Sequence, residues 1–302
     1  MNQHSPTVLA LDFDGVVCDG LIEYFQTAWG TYCQIWSPDI QLAGINSESP
    51  SPPTPSPIKG EGANQKREGA NKQVWCNWKG YETPPEDLAS TFYRLRPVIE
   101  TGWEMAVLIR ALALGISEER IWADWNAIAQ TILTTENLQA ADIGAKLDGL
   151  RDEWIATDLD DWLSLHRFYP GVVEKLKSLL SSSIQPYIIT TKEGRFVEQL
   201  LEQQEIELPS KFIFGKECKR PKHQILRELI AASKGEAIRI WFVEDRLKTL
   251  QSVAKQSDLD PVRLYLADWG YNTPVQHESI RDNPRIGLLS LSQFARDFSD
   301  WP

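Results

Sequence analysis

The apolar positions nearest the start of the chain form a continuous run, "VLAL" at 8–11, which leads into the acidic stretch "DFDG". A continuous apolar run of this length is typical of a strand that is buried on both faces. Asp12 and Asp14 are two positions apart, so in an extended chain their side chains point to the same face. Carboxylates that close repel each other unless a cation lies between them or one is protonated, which indicates a functional site.

After Pro170-Gly171 the pattern alternates between strand-like and helix-like segments. The predicted strands are "PYIITT", "KFIFG", "IRIWFVED" and "VRLYLAD", and the predicted helices are "VVEKLKSLL", "FVEQLLEQ", "HQILRELIAA" and "LKTLQSVAK". Such alternation is typical of βαβ units, in which helices cover both faces of a parallel sheet. The strand at Val8 has no partner nearby in the sequence, so we expect it to join this later sheet.

The middle of the chain, 21–165, shows mostly helical periodicity and holds nine of the 12 tryptophans, as expected for a core filled with large rings. We therefore predict a discontinuous α/β core, 1–20 with 166–302, that is interrupted by a helical domain, 21–165. Within that domain, 47–73 is rich in proline, glycine, serine and charge and has almost no apolar residue. Such a segment cannot bury a core, so we predict a disordered insertion.

The charge balance changes the picture of possible partners. With 42 acidic and 31 basic residues among 302, the formal net charge is −11, which argues against nucleic acid or an anionic membrane as a partner. The four cysteines form no CxxC pair, which favours reduced thiols. The sequence begins without a basic leader or a membrane-spanning apolar run, so a cytoplasmic protein is expected. No pattern in the sequence indicates an oligomeric state.

Polar side chains follow each predicted strand of the later sheet. Thr190, Thr191 and Lys192 follow one strand, Glu244 and Asp245 follow another, and a third strand leads to the lysines. These lysines are Lys216, Lys219 and Lys222. Because the carboxyl ends of parallel strands meet at one edge, we expect these groups around one site together with Asp12 and Asp14. Carboxylates, a hydroxyl and an ammonium suit a hard divalent cation that holds a phosphate.

Four segments in this order resemble the four motifs of the haloacid dehalogenase-like hydrolase superfamily: "LALDFDGVV", "YIITTK", the lysine cluster and "WFVEDR". In addition, "YPGVVEKLKSL" resembles the helix that follows the cap, and "DWGYNT" resembles the phosphoglycolate phosphatase-like members. The resemblance covers 7–19 and 168–289. It implies a Rossmann-like three-layer core with an inserted helical cap, and a Mg²⁺-dependent phosphatase that acts on a small phosphorylated metabolite.

The resemblance also implies roles for individual residues. Asp12 would be the nucleophile that takes the phosphoryl group, and Asp14 would protonate the leaving oxygen and later activate water. Thr190 would hydrogen-bond a phosphoryl oxygen, with Thr191 as the alternative. An aspartyl nucleophile beside a cation needs no separate strong base.

The implied Mg²⁺ ligands are Asp12, the backbone carbonyl of Asp14, and Asp245, with Glu244 supporting or sharing the last role. The pair Glu244-Asp245 departs from the common glycine-aspartate form of this motif and resembles β-phosphoglucomutase-like members. A phosphomutase therefore remains an alternative. A catalytically inactive binding protein on the same scaffold is another, although the polar residues of all four motifs are present.

Two choices depend on local geometry. Pro221 suits the first position of a helix, and Lys222 in that first turn then shares a face with apolar residues that should pack on the sheet. We therefore favour Lys222 over Lys219 as the phosphate-binding lysine. In the predicted cap, Arg94 and Arg96 precede Glu100, and an arginine there could bind a substrate carboxylate or a second phosphate, or form a local ion pair with Glu100. The sequence leaves both readings open.

Overall fold

The protein is described by a computed structural model that covers residues 5–36, 83–233 and 237–302. The insertion predicted at 47–73 lies outside the described residues. The chain divides into two compact units. One comprises Met1–Glu23 with Asp158–Pro302 and is called the sheet unit, and the other comprises Tyr24–Thr157 and is called the helical unit.

The sheet unit contains the strands of the described chain. They are β1 (Val8–Leu11), β2 (Cys18–Asp19), β3 (Arg167–Phe168), β4 (Gln185–Ile189), β5 (Ile213–Phe214), β6 (Ile240–Glu244), β7 (Arg263–Ala267) and β8 (Ile286–Leu289). Six of them form one parallel sheet in the order β5-β4-β1-β6-β7-β8, and β2 and β3 form a separate antiparallel pair. This sheet confirms the predicted α/β class.

Strand β1 lies in the middle of the sheet, where it pairs with both β4 and β6. Every residue of β1 and β6 is buried, as expected for central strands that helices cover on both faces. The strand order reverses at β1, and ligands of open parallel sheets bind beyond the carboxyl ends of the strands near such a reversal. Asp12 therefore stands at the position where this fold places its ligand.

The sheet unit also contains helices, which lie between its strands or follow the last one. They are α6 (Leu159–Ser164), α7 (Val172–Leu180), α8 (Gly194–Gln203), α9 (Lys222–Ala232), α10 (Leu247–Ala254), α11 (Pro274–Ser279) and α12 (Leu291–Phe294). On one face of the sheet, Leu226 of α9 and Leu250 of α10 belong to the same buried cluster as Phe242 and Leu264. Apolar residues spaced along one side of each helix produce this packing.

The helical unit is built from α1 (Leu21–Trp36, whose first residues belong to the sheet unit), α2 (Glu86–Leu95), α3 (Trp103–Ala113), α4 (Glu118–Thr135) and α5 (Ala140–Thr157). Helix α3 is buried almost all round, which makes it the central helix of this unit. Tyr32 stacks between Trp29 and Trp36, with ring centroids 5.3 and 5.4 Å apart. These tryptophans fill a core, as predicted. None of the described helices is long and apolar enough to span a membrane.

Candidate active site

Asp12 is the first residue after β1, and its carboxylate is buried. The backbone N–H of Asp12 donates to the carbonyl of Val243, which ties the end of β1 to β6 at 2.9 Å. The N–H of Phe13 donates to Asp12 Oδ1 at 2.7 Å. These bonds fix both the backbone and one carboxylate oxygen of Asp12.

Lys222 opens helix α9 and reaches the end of β1. Its Nζ lies 2.8 Å from Asp12 Oδ2 and 2.7 Å from Glu244 Oε2, so one ammonium bridges two buried carboxylates. Lys219 is exposed and has a left-handed backbone conformation, with φ +51°. Of these two candidate lysines, the structure therefore brings Lys222 to Asp12.

Glu244 is the last residue of β6 and Asp245 comes directly after it. Both residues are buried. The other oxygen of Glu244, Oε1, accepts the N–H of Arg246 at 3.0 Å. Asp245 Oδ2 accepts the N–H of Tyr271 at 2.8 Å, which joins the site to the "DWGYNT" loop after β7. One carboxylate oxygen from each of Asp12, Glu244 and Asp245 can be chosen so that all three atoms lie within 4.8 Å of one another.

Burial dominates the electrostatics of this cluster. Burial and, next, the charge of Glu244 raise the pKa of Asp12 to about 7, although Lys222 acts in the opposite direction. Asp14 also raises the pKa of Asp12, but it is the smallest of these causes. Burial alone would lower the pKa of Lys222, yet the charges of Asp12 and Glu244 raise it above its usual value. The repulsion expected from the spacing of Asp12 and Asp14 is therefore weaker than that between Asp12 and Glu244.

Two glycines allow the backbone to approach Asp245 closely. Gly15 has φ +85°, and a Cβ at this position would lie 2.4 Å from Asp245 Oδ2. A Cβ at Gly270 would lie 2.3 Å from Asp245 Cβ and 2.6 Å from the carbonyl oxygen of Gly15. Only glycine fits at either position. Both loops can therefore pack against Asp245 without displacing its carboxylate.

Asp14 takes a different partner from Asp12. Its Oδ1 lies 3.3 Å from Lys192 Nζ, and its side chain is 15% exposed, against 9% for Asp12. Asp14 is not one of the three carboxylates of the close acidic group. Asp12 and Asp14 therefore pair with two different lysines, Lys222 and Lys192.

Thr190 lies at the end of β4 and is buried, whereas Thr191 is exposed. The N–H of Thr190 donates to the carbonyl of Phe214 at 2.9 Å, and its Oγ1 accepts the N–H of Lys192 at 3.1 Å. This turn places the Thr190 hydroxyl and the Lys192 side chain beyond the same strand.

Sequence reasoning overlooked His166. The four histidines of the chain show no motif, yet His166 Nε2 lies 3.4 Å from Lys192 Nζ. Burial, followed by the neighbouring charge of Lys192, lowers the pKa of His166 to about 4. No spacing in the sequence relates His166 to Lys192, because they come together only when β3 and β4 are in place.

The arginines of the helical unit have local partners. Arg94 Nε donates to Glu118 at 3.2 Å on an exposed surface. Arg96 is buried, donates to the carbonyl of Ile99 at 3.1 Å and lies over the ring of Tyr24, with Cζ 5.1 Å from the centroid. The N–H of Glu100 donates to the carboxylate of Glu104. Glu118 is thus a partner of Arg94 that the sequence-based hypotheses did not include.

The residues of the site fit a divalent cation. Its carboxylates belong to Asp12, Asp14, Glu244 and Asp245, and its ammonium groups to Lys192 and Lys222. Carboxyl groups therefore outnumber ammonium groups by two, and burial together with the charge of Glu244 raises the pKa of Asp12 to about 7, so a bound cation would favour their ionised forms. Carboxylate oxygens are also the ligands that Mg²⁺ prefers.

Comparisons with known proteins agree with this fold. A family model of haloacid dehalogenase-like hydrolases matches residues 125–260, somewhat less than half of the chain. A candidate phosphoglycolate phosphatase from Lactobacillus delbrueckii subsp. bulgaricus shares the fold with a TM-score of 0.53 at 12% identity, over 95% of each chain.

A candidate haloacid dehalogenase-like hydrolase from Bacteroides fragilis shares the fold with a TM-score of 0.50 at 14% identity, over 96% of this chain and 99% of that one. No curated protein matches the sequence. At these identities the solved structures support the fold alone, and the family model adds a match in sequence. The family model thus matches this chain in part, and the solved structures share its fold.

Proposed function

We propose that this protein is a Mg²⁺-dependent phosphatase that hydrolyses a small phosphorylated metabolite through an aspartyl phosphate on Asp12. One observation carries the proposal: Lys222 bridges Asp12 and Glu244 beside Asp245, in a buried acidic group at the end of the central strands. Such a group can hold a cation and a phosphoryl group together.

Asp12, the backbone carbonyl of Asp14, and Asp245 would hold the Mg²⁺. Glu244 already uses one oxygen for Lys222 and the other for the N–H of Arg246, so it is better suited to support Lys222 than to bind the ion. When bound, Mg²⁺ would neutralise the excess of carboxylate charge and stabilise the negative charge on the phosphoryl oxygens.

The reaction then has two steps. A carboxylate oxygen of Asp12 attacks phosphorus, the bond from phosphorus to the leaving oxygen breaks, and Asp14 gives that oxygen a proton. Water, deprotonated by Asp14, then attacks the aspartyl phosphate and releases phosphate and Asp12. Thr190 and Lys222 would hold the phosphoryl oxygens and balance their charge.

The helical unit, inserted after Glu23, would act as the cap that selects the part of the substrate other than phosphate. The neighbour from Lactobacillus delbrueckii makes phosphoglycolate a sensible first compound in a screen of phosphorylated metabolites. Phosphate release in the presence of Mg²⁺ would be the signal.

Replacing the nucleophile tests the proposal most directly. An amide cannot form the acyl phosphate, so Asp12→Asn should abolish turnover of every phosphate ester. Asp14→Asn keeps the nucleophile, so it should phosphorylate Asp12 rapidly only from an aryl ester whose leaving group needs no proton. Turnover in a correctly folded Asp12→Asn protein would refute the covalent mechanism, and full activity in EDTA would refute the metal.

The pair Glu244-Asp245 keeps a phosphomutase as the second candidate. The same aspartyl phosphate would then pass to a second sugar hydroxyl rather than to water. Turnover that depends on a catalytic amount of a sugar bisphosphate would favour the mutase, whereas phosphate release without it favours the phosphatase.

A further inference from the structure

Lys192 is a buried lysine for which the reaction proposed above has no role. Its ammonium lies 3.3 Å from Asp14 Oδ1, 3.4 Å from His166 Nε2 and 5.6 Å from the centroid of the Trp162 ring. Only 7% of its side chain is exposed. Removing an ammonium from water is costly, so a lysine in this position needs specific partners.

His166 is oriented to accept a hydrogen bond from Lys192. Its Nδ1 lies 3.1 Å from the carbonyl oxygen of Trp162, and a carbonyl can only accept, so Nδ1 carries the proton. Nε2 is then unprotonated and faces the ammonium of Lys192. Burial lowers the pKa of His166 to about 4, in agreement with a neutral ring.

The partners of His166 are also fixed. The ring centroids of Trp162 and His166 lie 4.4 Å apart. The indole Nε1 of Trp162 donates to the fully buried Glu23 at 3.2 Å. The backbone N–H of Lys192 donates to Thr190 Oγ1. The turn after β4 thus fixes the backbone of Lys192, and the imidazole of His166 contacts its ammonium.

We propose that Lys192 is a positioning residue that holds the side chain of Asp14 in the orientation it needs for proton transfer, and that His166 holds Lys192 in place. This inference rests on the phosphatase proposal, since it needs Asp14 as the acid and base. A carboxylate with one oxygen fixed by an ammonium presents the other in a defined direction. Such orientation matters, because a displacement of about 1 Å can reduce a rate by about 100-fold.

The test uses Lys192→Met, which keeps the length of the side chain and removes the ammonium. Lys192→Arg is the conservative variant, and Lys177→Met is the matched control, because Lys177 pairs with Glu205 on the surface. Each full-length protein is assayed with Mg²⁺ on p-nitrophenyl phosphate and β-glycerol phosphate, in the steady state and in the first turnover.

Positioning predicts a split between the first turnover and the steady state on p-nitrophenyl phosphate. In Lys192→Met the first-turnover release of nitrophenolate should stay within about 3-fold of wild type, because that leaving group needs no proton. Steady-state kcat should fall about 10- to 100-fold on both esters, since Asp14 must still activate water. Lys192→Arg should recover part of this loss, and Lys177→Met should match wild type.

His166→Asn gives an independent variant if Lys192→Met does not fold. The amide of asparagine can replace the Nδ1 contact with the Trp162 carbonyl but does not extend to Nε2, so it loosens Lys192 without touching Asp14. It should show the same split with a smaller loss. Thermal melts identify variants that have lost their fold.

Three results would overturn the inference. On p-nitrophenyl phosphate, equal losses in the first turnover and in the steady state would indicate a general structural role. A higher KM with unchanged kcat would make Lys192 a substrate ligand, and unchanged kinetics would leave it no role. If wild type releases no phosphate from either ester, the proposed phosphatase activity itself fails, which is a separate outcome because it appears before any variant is compared.

Discussion

Gly15 shows how a single backbone position can decide the shape of the site. It turns the chain with φ +85° after Asp14, in contact with the carboxylate of Asp245. A side chain there would meet both an unfavourable backbone conformation and a carboxylate that the N–H of Tyr271 holds in place.

Gly15→Ala should therefore lower the free energy of unfolding by about 1–3 kcal/mol and weaken Mg²⁺ binding. The measurement is urea unfolding in EDTA, with the rise in Tm on adding Mg²⁺ as the report of metal binding. Gly149→Ala is the control, because a Cβ at that exposed position of α5 meets nothing within 4 Å. It should raise stability by up to about 1 kcal/mol. Equal effects of the two substitutions would contradict the close approach.

His166 gives the protein a pH dependence of known sign. Burial and Lys192 lower its pKa to about 4 in the folded state, while Glu23 and Asp14 act in the opposite direction. The unfolded chain, with the ordinary histidine pKa of about 6.5, binds a proton first as the pH falls. The stabilising contribution of neutral His166 is thus fully present above pH ~6.5 and is lost as the pH falls towards 4.

Wild type should consequently lose about 2 kcal/mol more than His166→Asn between about pH 7 and about pH 5. Urea unfolding in EDTA at both values measures the difference, and the variant cancels contributions from the other titrating groups. Parallel pH profiles for the two proteins would show that His166 is not held neutral.

At the scale of the element, helix α9 carries the lysine of the acidic group because of its register. Pro221 precedes the helix and Lys222 opens it, while Ile225, Leu226 and Leu229 are buried. The same register leaves Lys219 outside the helix and exposed. A lysine three residues earlier therefore cannot replace Lys222 without a change in the loop.

Lys222→Met should lower the free energy of unfolding by about 3 kcal/mol in EDTA, because it leaves the buried Asp12 and Glu244 without their shared ammonium. It should also abolish phosphate release. Lys219→Met should change stability by less than about 0.5 kcal/mol and leave turnover unaffected. Loss of turnover in Lys219→Met alone would exchange the roles of the two lysines.

Elements with strong periodicity were predictable from the sequence. The alternation after Pro170 indicated α7 to α10 and β4, β6 and β7, and the apolar run at 8–11 indicated a buried strand in the same sheet. Strand β8 was not predicted, and β5 is limited to Ile213–Phe214 where "KFIFG" was expected. Short pairings such as β2 with β3 depend on contacts between distant residues, which local patterns do not contain.

The candidate site was likewise predictable only in part from the sequence. Carboxylates at strand ends could be recognised because the sheet brings strand ends together, and the roles assigned to them remain predictions. Pairwise partners could not be recognised: the sharing of Lys222 by Asp12 and Glu244, and the contact of Lys192 with His166, depend on rotamers and burial. Such contacts are set by packing rather than by sequence spacing.

At the scale of the whole sheet unit, the end of the described chain covers one face of the sheet. The Trp301 ring contacts Trp241 of β6 and Tyr265 of β7, with centroids 5.3 and 5.1 Å away, and also contacts Phe294 and Phe298. These rings lie opposite the apolar cluster that contains Phe242 and Leu264, because side chains alternate between faces along a strand.

Trp301→Ala should lower the free energy of unfolding by about 3–5 kcal/mol, since it removes a large ring from this buried aromatic group. Trp122→Ala, at a position of α4 that is 43% exposed, should cost less than about 0.5 kcal/mol. Urea unfolding followed by circular dichroism measures both. Similar costs would mean that Trp301 contributes little to the packing of the sheet unit.

The short pair β2 and β3 has a consequence for how this chain can vary. Asp19 pairs with Arg167 and Cys18 with Phe168, so the chain leaves the sheet unit and returns to it through adjacent strands about 5 Å apart. The part of the chain between β2 and β3 is therefore a single closed loop. The entropic cost of closing a loop rises only with the logarithm of its length. Insertions and deletions in that loop, including the proline-rich stretch at 47–73, can thus accumulate at little cost to the parallel sheet. The acidic group at the strand ends and the segment at 47–73 are therefore separated along the chain, so the group can be retained while the segment changes in length.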